Sequence, residues 1–134
     1  MHIKYKIIKK VLVLICLAFI FACNSYGEKL EYKKTEVYFT NKVTKEDAQR
    51  LGDYLVSSEF ADGNTKSVQL TKSDNGNYAF RMVATKEASE NSSYEALFKI
   101  FGKQISDSVF NKAPVDFHIC SNTFKTLKVI PFEK

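Results

Sequence analysis

The sequence feature that most constrains the fold is the Asn75-Gly76 pair, set between two segments of alternating apolar residues. Apolar and polar residues alternate around Val68 before the pair and again through residues 78–84 after it. Asn-Gly readily adopts the positive φ angles of a tight hairpin turn. A period of two is typical of a strand that buries one face. The pattern therefore predicts an antiparallel hairpin near the middle of the chain.

A helix is predicted on each side of this hairpin. Thr44 is followed by acidic residues, as expected for a helix N-terminus, and helically spaced apolar residues continue to Leu55. The second helix begins near Ser92, which has capping-box spacing to Glu95. Its predicted core-facing stripe consists of Tyr94, Leu97, Phe98, Phe101, Ile105 and Val109.

Three further strands complete the predicted architecture. One begins at Glu36, and two lie after Pro114, with Val115, Phe117, Ile119, Leu127 and Val129 as inward residues. The resulting order is β-α-β-β-α-β-β. It predicts an α+β fold with one mainly antiparallel sheet and two helices on one face, as in ferredoxin-like or split βαβ folds with an added strand.

The other face of this sheet is predicted to be open and polar. The alternation places on it Tyr38, Gln69, Arg81, Val83, Asp116, His118, Cys120 and Lys128. An open face of mixed polarity is the natural place for a functional surface.

Cys120, His118 and Asp116 share this face and suggest a thiol catalytic set. However, residues two apart on a strand are separated by roughly 6.5 to 7 Å, whereas a proton relay needs contacts of about 3 Å. A zinc site fares no better, because His118 and Cys120 supply only two of the usual four ligands. We therefore predict no catalytic residues, no metal site and no cofactor.

The beginning of the chain predicts export. A lysine-rich head precedes the apolar run Val11–Ala22, which at about a dozen residues is shorter than the roughly 20 of a membrane-spanning helix. The sequence Ile20-Phe21-Ala22-Cys23 resembles the lipobox of bacterial lipoproteins. That resemblance implies a diacylglycerol on the Cys23 sulfur and cleavage before it. The expected organisation is a signal peptide at 1–22, a tether at 23–35 and a single domain at 36–134.

Charge and cysteine usage narrow the expected partners. Four of the 20 basic residues lie in the predicted leader, which leaves 16 against 15 acidic residues. A nearly neutral domain has no electrostatic attraction for nucleic acid, so that partner class is excluded. Cys120 is the one cysteine after the predicted lipid site, and an intramolecular disulfide is therefore excluded.

Several segments of the domain resemble a small bacterial module of unknown function. They are Glu36–Thr40, Thr44–Leu55, Asp62–Lys72, Tyr78–Val83 and Ala113–Cys120. Similar segments are joined to larger membrane proteins, including rhomboid-type peptidases. The resemblance implies an accessory role and transfers no site residues.

These observations predict an extracytoplasmic lipoprotein that acts as a non-catalytic interaction module. The lipid on Cys23 would hold it at a bacterial membrane, at the outer membrane or cell surface in a Gram-negative organism, beside another cell-envelope protein. Two alternatives stay open. One is an immunity or inhibitor protein directed against a toxin or protease, and the other is a thiol enzyme that uses Cys120 and His118.

Overall fold

Pairs of strands alternate with helical segments in the computed structural model, which describes residues 26–134. The predicted signal peptide at 1–22 and the predicted lipid site Cys23 lie outside the described residues. No helix within the described part has the length and apolar character needed to cross a membrane. The elements are β1 (Glu28–Tyr32), β2 (Thr35–Phe39), α1 (Lys45–Ser57), β3 (Lys66–Lys72), β4 (Tyr78–Val83), α2 (Lys86–Glu90), α3 (Ser92–Val109), β5 (Val115–Cys120) and β6 (Thr126–Ile130).

The described strands form one six-stranded mixed sheet in the order β1-β2-β3-β4-β5-β6. The β2–β3 and β4–β5 pairs are parallel, and the other three pairs are antiparallel. The predicted mainly antiparallel, ferredoxin-like sheet is therefore wrong. The difference is topological: each helix connects two strands that are direct neighbours, whereas a split βαβ unit leaves room for another strand between them. A helical crossover makes the strands it joins parallel.

The predicted hairpin is confirmed, since β3 and β4 pair antiparallel across a turn in which Gly76 has a φ of 86°. A second hairpin, β1–β2, was not predicted. Its two-residue turn consists of Lys33 and Lys34, with φ angles of 48° and 66°. Turns with two positive φ angles usually contain asparagine or glycine. Because lysines occupy both positions here, the sequence contains no signal for this turn. β1 falls inside the segment predicted as a tether, and the sheet thus begins earlier than the boundary expected near Glu36.

Both long helices pack on the same face of the sheet. Leu51 of α1 and Ile105 of α3 are completely buried in one core with Val37, Phe80 and Phe117 from the strands. The predicted cap at Thr44 is confirmed, because its hydroxyl accepts from the Asp47 backbone N–H. α3 is capped one residue earlier than predicted, by Asn91. The core stripe of α3 is narrower than predicted, since Tyr94 and Leu97 are exposed.

The orientation of β6 also differs from the prediction. A bulge at Ile119 and Cys120 shifts the register, and Lys128 faces the helices, where its Nζ lies 2.8 Å from a Glu95 carboxylate oxygen. Leu127 and Val129, predicted to be buried, are 40% and 44% exposed. A bulge inserts one residue into an alternating pattern, and simple alternation cannot locate it.

Candidate functional site

A row of side chains crosses the sheet on the face away from the helices. The strand registers align Lys29, Tyr38, Gln69, Arg81, His118 and Val129 from one edge to the other. Most members of the predicted polar face do lie on this face. Lys128 does not, because of the bulge described above.

The face is covered, however, and not open as predicted. Tyr26 crosses it from the N-terminal side, and Phe124 reaches over it from the β5–β6 connection. The ring centroids of Tyr26 and Phe124 are 5.1 Å apart, and each lies within 5.7 Å of Tyr38. Gln69 Nε2 donates to the Tyr26 carbonyl at 2.9 Å. We call Tyr38, Gln69, Arg81 and His118, with these two covering residues, the capped face.

Arg81 is the centre of the capped face. Its Nη2 donates to the Phe124 carbonyl, and its Nη1 donates to Thr126 Oγ1 at 2.9 Å. Among residues 26–134 it forms no ion pair with a carboxylate. The guanidinium therefore holds the β5–β6 connection against the sheet through neutral acceptors. Phe124 itself adopts a φ of 57°, a strained value for a bulky residue that these contacts help to maintain.

His118 lies beside Arg81 on the neighbouring parallel strand. Arg81 Nη1 is 3.3 Å from His118 Nδ1, and since the guanidinium can only donate, Nδ1 is the acceptor. The neutral imidazole thus carries its proton on Nε2, which is buried without a partner among the described residues. Burial and the positive charge of Arg81 lower the pKa of His118, against a smaller opposite effect from Asp116.

Cys120 belongs to the same face by register but is completely buried. Burial raises the pKa of its thiol, and this effect exceeds the opposing effects of Arg81 and of a hydrogen bond with Thr126. A thiol with a raised pKa and no solvent access is a poor nucleophile.

Asp116, the third member of the suggested catalytic set, is engaged elsewhere. Its carboxylate accepts from the Phe132 backbone N–H at 2.9 Å and from the Asn77 side chain at 3.4 Å. It therefore connects the C-terminal segment to the end of the β3–β4 hairpin. A Cys-His-Asp relay needs both imidazole nitrogens of His118, one for the thiol and one for the carboxylate. Nδ1 already accepts from Arg81, and Asp116 bonds other groups, so these contacts form no such relay.

Other kinds of site are not built from the described residues. Within residues 26–134, no group of three or more His, Cys, Asp or Glu side chains is placed to hold a metal ion. A cleft of about 670 Å³ lies where β1 begins and β2 ends, lined by residues that include Gly27, Phe39, Val43 and Lys45. It is on a different part of the molecule from His118 and Cys120.

Large apolar side chains are exposed on the outward side of α3. Leu97 is 58% exposed, Ile100 57% and Tyr94 45%, and they follow one another at intervals of three residues. We call these three residues the α3 patch. Its helix packs on the sheet through Phe98, which stacks on Phe117 with centroids 4.8 Å apart and on Tyr94 of the patch with centroids 6.1 Å apart.

Sequence reasoning missed the residues that cover the sheet. Tyr26 falls in the segment predicted as a tether, and Phe124 lies between the last two predicted strands. The strained φ of Phe124 has no sequence signal, because positive φ is usually marked by glycine or asparagine.

The described residues thus define a small α+β domain with a mixed sheet, a capped polar face and an apolar helical patch. A family model, AF_1994_N, described as a family N-terminal domain, matches residues 29–130. The chain belongs to this family. Comparisons with curated proteins and with solved structures gave no match.

Proposed function

We propose that this chain is a lipid-anchored extracytoplasmic module that binds another cell-envelope protein through the α3 patch and catalyses no reaction. The supporting observation is the exposure of Tyr94, Leu97 and Ile100 on one side of a helix whose other side completes the core. Large apolar side chains grouped on one exposed helix surface mark a candidate interaction site, whereas single scattered ones need no explanation. A partner with a complementary apolar groove would remove them from solvent.

Other surfaces are less suited to binding a protein. The capped face is occupied by Tyr26 and Phe124. The edge strand β1 carries charges at Glu28, Lys29 and Glu31, and the other edge strand, β6, contains a bulge. Charges and bulges at sheet edges disfavour the addition of a further strand. These features favour binding through α3 over binding through a sheet edge or the capped face.

The absence of a built relay around Cys120 supports a binding role over the thiol enzyme. Its thiol is buried, and the neighbouring Asp116 carboxylate bonds the C-terminal segment. The anchor itself is proposed from the lipobox resemblance at Cys23. Mass measurement of the N-terminal peptide tests it directly, because acylation adds a defined mass that the Cys23→Ser variant would lack.

Binding through α3 is tested by site-specific photocrosslinking in the native membrane. A photoreactive residue at Leu97 should give a discrete product, whereas the same residue at Gln49, an exposed position on α1, should give none. The crosslinked protein, once identified and purified, should bind the domain in solution. We expect Ile100→Glu to raise the Kd of this complex at least about tenfold, which corresponds to a loss of about 1.4 kcal/mol of binding free energy.

A matched variant makes the result specific. Gln49→Glu adds the same charge to an exposed position on α1, away from the patch, and should leave Kd nearly unchanged. If Ile100→Glu has no larger effect than Gln49→Glu, the patch is not the binding surface. The identity of the partner distinguishes an envelope interaction module from an immunity or inhibitor protein, because only the latter would bind a secreted toxin or protease.

A further inference from the structure

The position of Tyr26 determines where a lipid on Cys23 could lie. The backbone carbonyl of Tyr26 is bound by Gln69 Nε2, and its ring lies against Tyr38 and Phe124. The chain therefore enters the folded domain over the middle of the capped face. It does not enter at a sheet edge or on the helical side.

The distance between anchor and domain is short. Tyr26 is the third residue after Cys23. Three residues span at most about 11 Å even when fully extended. A folded partner domain has a radius of gyration of roughly 13 Å and would not fit in that space. The headgroup region of the bilayer is then the one surface that can meet this side of the domain.

We infer that the capped face is the membrane-facing side of the protein and lies against the phospholipid headgroups. This inference rests on the proposed acylation of Cys23. The chemistry of the face suits the location, because Tyr26 and Tyr38 are partly exposed and tyrosine is favoured at the boundary between apolar and aqueous regions. The α3 patch, on the opposite layer of the domain, then faces away from the membrane.

The orientation is tested with the acylated protein in vesicles of phosphatidylcholine and phosphatidylglycerol that contain headgroup-nitroxide lipid. A fluorophore is attached either at Val129→Cys, on the capped-face side by register, or at Gln104→Cys, on the exposed side of α3. Both positions are exposed, and Cys120 is fully buried and should not be labelled. We expect the nitroxide to quench the fluorophore at position 129 severalfold more strongly than the one at position 104.

Equal quenching at the two positions, or stronger quenching at position 104, would overturn the inference while leaving the anchor intact. The second of these results would indicate that the α3 patch binds lipid. An N-terminal peptide without acyl mass, in protein that does not float with the vesicles, would overturn both the anchor and the orientation. Circular dichroism of each labelled variant must match that of the unlabelled protein, so that neither result reflects unfolding.

Discussion

Arg81 and His118 lie opposite each other on parallel strands, with 3.3 Å between Nη1 and Nδ1, and the imidazole is the acceptor. Protonation of His118 would remove this acceptor and place a second positive charge beside the guanidinium. The folded structure therefore favours the neutral form of His118.

This contact predicts that the protein loses stability in mild acid. The pKa of His118 is lower in the folded state than its ordinary value of about 6.5. As the pH falls, the unfolded chain therefore binds a proton at this residue before the folded protein does. The free energy of unfolding should be constant above the ordinary pKa and decrease below it, until the folded-state pKa is also passed. Urea titrations between neutral pH and pH 5 measure this. His118→Gln should flatten the dependence, and an unchanged slope in that variant would place its origin elsewhere.

The buried thiol leads to a prediction about reactivity. In a Cys16→Ala, Cys23→Ser background, Cys120 should react with a disulfide reagent at neutral pH far more slowly than an ordinary exposed thiol, because it is buried and its pKa is raised. The matched control is Cys120→Ser combined with Asn122→Cys, which moves the thiol to an exposed position in the adjoining turn. Rapid modification that His118→Ala slows would contradict this prediction and favour the thiol enzyme.

Neighbouring residues on α3 should respond very differently to truncation. Phe98 stacks on Phe117, whereas Leu97 is 58% exposed. Phe98→Ala should lower the free energy of unfolding by about 3 kcal/mol, near the lower end of values for core phenylalanines because Phe98 is only partly buried. Leu97→Ala should change it by no more than about 0.5 kcal/mol. Equal losses in chemical denaturation would show that the helix is rotated relative to this structure.

Two helical glycines should also behave differently. A Cβ added to Gly52 would overlap the Tyr32 ring, whereas one added to Gly102 would lie 3.7 Å from its nearest neighbour, the Val115 carbonyl. Overpacking lowers the free energy of unfolding by about 1–3 kcal/mol, whereas alanine in place of glycine stabilises a helix by about 1 kcal/mol. Gly52→Ala should therefore lower Tm, and Gly102→Ala should raise it. A higher Tm for both would mean that Tyr32 moves aside at little cost.

Much of the local structure could be predicted because its signals are local. The Asn75-Gly76 turn, the Thr44 cap and the alternation in β5 each depend on a few adjacent residues, and all occur in the structure. The β1–β2 hairpin was missed because its turn contains two lysines. The sheet order was wrong because local patterns do not specify which strands become neighbours.

The candidate site was only half predictable. Alternation placed Arg81, His118 and Cys120 on one face, as the registers confirm. The covering of that face depends on contacts between distant residues, such as the 43 positions that separate Gln69 from Tyr26. Such contacts leave no periodic trace in the sequence. The bulge in β6, which moves Lys128 to the helical side, is equally invisible to alternation.

The order of the strands in the sheet also bears on how the protein would fold during the export that we propose. Each described strand pairs only with the strand before it and the strand after it in the chain. A chain that emerges from a translocation channel with its N-terminus first could add each new strand to the edge of the sheet already formed. Short-range pairing of this kind lowers the contact order and favours rapid folding. At no stage would an internal gap have to wait for a strand that is still inside the channel.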